Sequence, residues 1–190
     1  MQPEESELTP IQGLQMITEV ITKTKDNLRE HSFGFLLWGW LIAAASFLFF
    51  ILHTYTSFSL YFLPFPILVT AGILVTLRFY AGKRYSSETY LSYYLKRLWL
   101  VLGLSFILVV VIGVIGQNPP FTYTLLIAGI GTLVSGLVLR FRPLMLGGVL
   151  FMLFSIGSVV TPDRYKPLLQ GIAVIAGYII PGYRLKNSTL

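Results

Sequence analysis

Residues 98–116 read LWLVLGLSFILVVVIGVIG and contain no charged side chain. An α-helix rises about 1.5 Å per residue, so a stretch of this length crosses a hydrocarbon core about 30 Å thick. A helix also satisfies the hydrogen bonds of its own backbone, which lipid cannot do. The stretch therefore predicts a membrane-spanning helix.

Five more apolar stretches accompany it. The six predicted spans cover about 33–52, 60–80, 98–116, 123–139, 143–160 and 167–183. Hydrophobic residues make up 55% of the chain and charged residues 12%, whereas a soluble domain carries about 25% charged residues. The connections are short, which favours antiparallel neighbours. The predicted fold class is all-α, a polytopic membrane protein with six transmembrane helices in three antiparallel hairpins over residues 33–185.

The basic residues fall mainly on one side of this arrangement. Twelve lysines and arginines lie in the N-terminal segment, the second and fourth connections and the tail, and two lie in the fifth connection. Cytoplasmic loops carry the excess of Lys and Arg in membrane proteins. The asymmetry predicts cytoplasmic termini, including a tail over 186–190, and it explains the net charge of +6 without a nucleic-acid partner.

The polar residues 1–32 are predicted to form a cytoplasmic segment ahead of the first span. Between residues 10 and 31, apolar side chains recur at helical spacing, with charged residues between them; the apolar positions include Ile11, Leu14, Ile17, Ile21 and Leu28. This pattern predicts an amphipathic helix over about 10–31, which lies on the membrane surface or packs under the bundle.

A group of aromatic and basic residues precedes the third span. Tyr90, Tyr93, Tyr94 and Arg97 share one face of a helix because they are spaced i, i+3, i+4 and i+7. An interfacial aromatic belt accounts for such residues. A cytoplasmic docking face for a protein partner is the functional alternative.

Catalytic chemistry has few candidates in this sequence. Ionisable residues inside spans mark pumps and proton relays, and here all of them lie near span ends or outside the spans. The chain has no cysteine, and His31 and His53 are predicted on opposite sides of the membrane. Hydrolase, zinc-protease and phosphate-loop motifs are missing. We therefore expect no catalytic residue, no metal and no cofactor.

Small and polar residues within the spans are expected to pack helices together. Three pairs have the small-xxx-small spacing: Gly131 with Ser135, Thr132 with Gly136, and Ala173 with Gly177. Such pairs let helix backbones approach closely, within one chain or between copies in a homo-oligomer. Pro181 is expected to kink the last span because it removes a backbone N–H.

Two segments carry a resemblance to known proteins. The first span begins Phe35-Leu36-Leu37-Trp38-Gly39-Trp40, and the last ends Gly177-Tyr178-Ile179-Ile180-Pro181-Gly182-Tyr183. A short amphipathic segment, an aromatic-rich first span and a glycine/proline final span resemble small six-span bacterial inner-membrane proteins of unassigned function. The hairpin plan is also similar to that of the acid-resistance membrane protein family. The resemblance implies location in the bacterial inner membrane, not an activity.

Three functions remain open at this point. The first is a non-enzymatic accessory or regulatory partner of another membrane or cytoplasmic component. The second is a small transporter or channel for a neutral or apolar solute, which needs a polar stripe including Gln170. The third is a lipid-modifying membrane enzyme built from interfacial residues such as Tyr90, Tyr94 and Arg97.

Overall fold

The computed structural model describes residues 10–81 and 90–187, and the side chains of 32–81 and 91–187. All regular structure in this part of the chain is helical. The elements are α1 (Pro10–Tyr55), α2 (Pro64–Ala81), α3 (Tyr90–Ile115), α4 (Phe121–Val138), α5 (Arg142–Val160), a 3-10 turn (Asp163–Tyr165), α6 (Lys166–Val174), a π-helical turn (Ile175–Ile179) and α7 (Ile180–Asn187).

Six helical segments are long and apolar enough to cross a membrane. They are Ser32–Tyr55, Pro64–Ala81, Leu91–Ile115, Phe121–Val138, Arg142–Val160 and Asp163–Asn187. The prediction of an all-helical fold with six helices long and apolar enough to span a membrane is therefore confirmed for the described residues. The second helix begins at Pro64, later than expected, because residues 60–63 form a turn in which Leu63 N–H donates to the Leu60 carbonyl at 3.1 Å.

Helix α1 is longer than its predicted span. It continues without a break from Pro10 to Tyr55 over 46 residues, which corresponds to a length of about 69 Å. The backbone of residues 10–31 therefore belongs to the same helix as the first span. The side chains of residues 10–31 lie outside the described residues, so the predicted amphipathic face stays a prediction.

Contacts between the helices define two ends of the bundle. Phe33 stacks on Phe79 at 3.9 Å, whereas Phe49 meets Phe65 at 5.8 Å, so α1 and α2 run in opposite directions. Helix α1 also packs against the last span, with Phe47 on Gly171. One end, called the basic end below, holds the exposed arginines Arg78, Arg97, Arg140, Arg142 and Arg184. The opposite end holds residues 56–63, 116–120 and 161–165.

Helices α4 and α5 approach each other through glycine. A Cβ added at Gly136 would lie 2.6 Å from the backbone N of Met145, and one at Gly129 would lie 3.1 Å from the carbonyl O of Gly148. Backbone-to-backbone contact of this kind requires residues without side chains. The Thr132/Gly136 pair therefore serves packing within the chain.

The last span is interrupted between α6 and α7. Pro181 has no N–H to offer the carbonyl of Gly177, and the preceding residues Ile175–Ile179 form a π-helical turn. The Gly177 carbonyl O instead faces α5, where a Cβ at Gly147 would lie 2.6 Å away. The kink expected at Pro181 stays a prediction; the structure shows a π-helical turn before this proline, where the span packs against α5.

Candidate functional site

An aromatic cluster occupies the core near the basic end. Tyr178 touches Phe151 at 4.7 Å, Phe35 at 5.8 Å and Trp99 at 6.2 Å between ring centroids. Phe151 is fully buried and Tyr178 is 5% exposed. The cluster joins α1, α3, α5 and the π-helical turn, so it ties four parts of the chain to one point.

Two hydrogen bonds involve residues in or beside this cluster. The Trp99 indole Nε1 donates to Ser135 Oγ at 3.1 Å. Thr132 Oγ1 also donates to the Ala128 carbonyl at 2.6 Å. Because a buried polar group is costly when unpaired, these bonds indicate fixed packing of the core.

A second polar group lies at the opposite end. The Thr122 and Ser158 hydroxyl groups are 2.5 Å apart, and Ser155 Oγ donates to the Thr122 carbonyl at 2.8 Å. Thr124 Oγ1 lies 3.0 Å from Gln170 Oε1, to which it donates. These five side chains, called the polar row below, link α4, α5 and α6, and Gln170 is only 6% exposed.

His53 lies beside the aromatic residues of the same end. Its ring is 4.8 Å from Tyr61 and 5.9 Å from Phe49, and its side chain is exposed. Nearby, Arg164 Nε donates to Thr54 Oγ1 at 3.4 Å. The side chain of His31 lies outside the described residues. His53 therefore lies at the end of the bundle opposite the basic end, beside aromatic side chains.

The described members of the predicted docking face lie together at the basic end. Tyr93 is 47% exposed and Tyr94 is 45% exposed. The Arg97 guanidinium lies 5.2 Å from the centre of the Tyr93 ring, which is the geometry of a cation–π contact. The side chain of Tyr90 lies outside the described residues, although its backbone begins α3.

The basic end has an uneven charge balance. Asp163 is the only carboxylate residue among the described side chains, and it lies at the opposite end, where Lys166 Nζ is 2.7 Å from its Oδ1. Within the described side chains, the arginines Arg78, Arg140, Arg142 and Arg184 thus meet no carboxylate. The described side chains of this end therefore carry a net positive charge.

Arg140 occupies an uncommon backbone conformation. Its φ is 52°, in the left-handed region that favours glycine. The Phe141 N–H donates to the Gly136 carbonyl at 2.9 Å and the Arg140 N–H to that of Leu137 at 3.2 Å. These two bonds form a Schellman motif, in which the residue at the Arg140 position is usually glycine.

The amino-acid sequence did not predict this turn, nor a second turn of the same kind after α3. Gln117 also has a φ of 52° and ends α3 with the same pair of bonds, from Asn118 to Gly113 and from Gln117 to Val114. The shared signal is a glycine four residues before the left-handed residue. In neither case does a glycine mark the turn itself, so the usual signal was absent.

A Trp-x-x-Leu pair occurs in both α1 and α3. Trp38 and Leu41 contact Gly72 of α2, just as Trp99 and Leu102 contact Gly131 of α4. A hydroxyl residue follows each glycine by four positions, Thr76 in α2 and Ser135 in α4. The two helix pairs therefore repeat one packing motif.

No group of three His, Cys, Asp or Glu side chains suited to a metal ion occurs within the described residues. Comparison with protein-family models, with curated proteins and with solved structures gave no match.

Proposed function

We propose that this chain is a non-enzymatic multi-pass protein of the bacterial inner membrane that acts as an accessory or regulatory partner of another membrane or cytoplasmic component. In this proposal the spans form three antiparallel hairpins, and both termini are cytoplasmic. The 12-to-2 distribution of basic residues supports this orientation.

The observation that carries the proposal is the exposed group formed by Tyr93, Tyr94 and Arg97. Helix α3 has 26 residues, a length of about 39 Å, which exceeds a hydrocarbon core of about 30 Å. Its first two turns, which precede the apolar stretch 98–116, therefore reach the headgroups and the water beyond. Tyrosine and arginine are the residues that most often dominate the binding energy of protein interfaces.

Photo-crosslinking in native membranes tests this assignment. A photoreactive phenylalanine analogue is placed at Tyr94, and at Leu104 in a matched control. Both positions are exposed on α3, at 45% and 62%, but Leu104 lies within the apolar stretch. We expect a discrete polypeptide adduct from position 94 that the Tyr93→Ala/Arg97→Ala background removes. Lipid adducts alone from both positions would overturn the proposal.

The polar row favours a second candidate function, a small transporter or channel for a neutral solute. Hydroxyl and amide groups inside a bundle supply the hydrogen bonds that such a solute loses on leaving water. Here, though, Thr122, Ser155 and Ser158 bond to one another or to backbone, which supports packing more than passage. Glycerol flux into reconstituted vesicles is the measurement for this function. A flux that is lost in Gln170→Leu and kept in Ser105→Ala would favour the transporter. Ser105 is a suitable control because, within the described part of the chain, its hydroxyl bonds to its own helix, at the Val101 carbonyl.

A further inference from the structure

Arg140 lies in the turn between α4 and α5 and has a φ of 52°. A non-glycine residue in the left-handed region is disfavoured, and a glycine at this site would remove the strain. The rule that places basic residues on one side of a membrane concerns loops, not particular backbone positions. Leu139 and Phe141, on either side, pack against the core. The charge of this turn therefore lies on the exposed position 140 between them.

Arg142 stands two residues later and is exposed like Arg140. Phe141, which separates them, is half-buried and packs against the core. The Phe141 backbone is extended, with φ −108° and ψ 100°. With Phe141 anchored inward, the two arginines flank it at the exposed surface of one turn, and no carboxylate lies at this end among the described side chains.

The surface next to this turn is apolar. Leu137 is 55% exposed and Leu146 is 65% exposed. Each of these leucines lies within one or two helical turns of an arginine. Exposed apolar residues continue along both helices toward the opposite end: Leu126 and Ile130 on α4, and Val149, Leu153 and Ile156 on α5. A ligand that suits this surface has an anionic head and long apolar tails.

We propose that the α4–α5 turn binds an anionic phospholipid of the adjacent leaflet, with Arg140 and Arg142 on its phosphate and the acyl chains along the exposed faces that begin at Leu137 and Leu146. Arginine donates several hydrogen bonds in a fixed fork that matches phosphate oxygens. This site is separate from the docking face on α3, so it holds or fails independently of the proposed partner function.

Lipid titration of the purified protein, followed by native mass spectrometry, tests the site. Phosphatidylglycerol is compared with phosphatidylcholine of the same acyl chains. Each arginine near an anionic surface contributes about a fivefold change in affinity, so we expect Arg140→Gly/Arg142→Gln to weaken phosphatidylglycerol binding about 25-fold. Binding of phosphatidylcholine should stay within about twofold.

Matched variants separate a site from diffuse attraction. Arg78→Gln/Lys186→Gln removes the same charge from the same end and should weaken phosphatidylglycerol binding less than about threefold. Gln117→Gly makes the same kind of backbone change at a left-handed turn and should leave binding unchanged. Because glycine suits the turn, Arg140→Gly should keep or raise the thermal stability of the protein.

Three results would overturn the proposal. Equal losses in the two double variants would mean that only overall charge attracts the lipid. An unchanged affinity of Arg140→Gly/Arg142→Gln would place the lipid elsewhere. Displacement of phosphatidylglycerol by inorganic phosphate at equal concentration would identify a free phosphate as the ligand.

Discussion

The indole Nε1 of Trp99 donates a 3.1 Å hydrogen bond to Ser135 Oγ and thereby joins α3 to α4. The corresponding residues of the first helix pair behave differently. Trp38 packs on Gly72 in the same way, yet Thr76 Oγ1 is buried without a hydrogen-bond partner among the described residues. Among the described residues, a hydrogen bond therefore joins the tryptophan of the repeated motif to the hydroxyl residue in the α3–α4 pair but not in the α1–α2 pair.

Replacing the two tryptophans should therefore have unequal effects. Trp99→Phe removes the donor to Ser135, a side chain that is fully buried. Interhelical hydrogen bonds in membrane proteins contribute about 0.6 kcal/mol on average and up to about 1.7 kcal/mol. We expect Trp99→Phe to lower the free energy of unfolding by about 1 kcal/mol more than Trp38→Phe does. Reversible unfolding in mixed detergent micelles measures the difference, and equal losses would contradict the expectation.

Glycine-to-alanine substitutions should distinguish glycines that contact another helix from glycines with open space around them. A Cβ at Gly136 would meet the Met145 backbone, whereas one at Gly157 has nothing within 4 Å. Overpacking of this kind costs about 1–3 kcal/mol, so Gly136→Ala should destabilise the protein by that amount. Gly157→Ala lies on the same helical hairpin and should be neutral in the same unfolding assay. If neither Gly136→Ala nor Gly157→Ala changed the free energy of unfolding, the close approach of α4 to α5 would be contradicted.

The left-handed turn after α3 allows a stabilising substitution. Gln117 has a φ of 52° and is exposed, so its side chain adds strain without a packing contribution from the core. Gln117→Gly should raise the free energy of unfolding by about 1 kcal/mol. Gln117→Ala keeps the strain and is the matched control. A loss of stability in Gln117→Gly would mean that the glutamine side chain supports the turn.

The spans could be predicted from sequence because a bilayer imposes one simple requirement. Stretches such as 98–116 must be long, apolar and helical, and those properties are local. Prolines also predicted helix starts near Pro143 and Pro167, since proline fits the first turn. Much of the candidate site escaped prediction because it depends on contacts between distant residues.

Two examples show what sequence spacing leaves open. Overlapping small-xxx-small pairs are formed by Gly131, Thr132, Ser135 and Gly136, but their spacing does not say which helix each residue contacts. In the structure, Gly131 contacts α3 and Gly136 contacts α5. Pro181 predicts a kink, whereas the structure has a π-helical turn at the place where Gly177 closely approaches Gly147. Both outcomes depend on helix–helix register, which a single sequence does not encode locally.

Because the chain contains no cysteine, single introduced cysteines can report the orientation of the protein in the membrane. A single cysteine at Asn118 lies in the exposed connection between α3 and α4, and one at Asn187 lies at the exposed end of α7. The basic-residue asymmetry predicts that intact cells expose position 118 to a membrane-impermeant maleimide and shield position 187. Permeabilised cells should label both positions, which controls for reactivity. Labelling of position 187 alone in intact cells would reverse the proposed orientation, and the basic end would then face the outside of the cell.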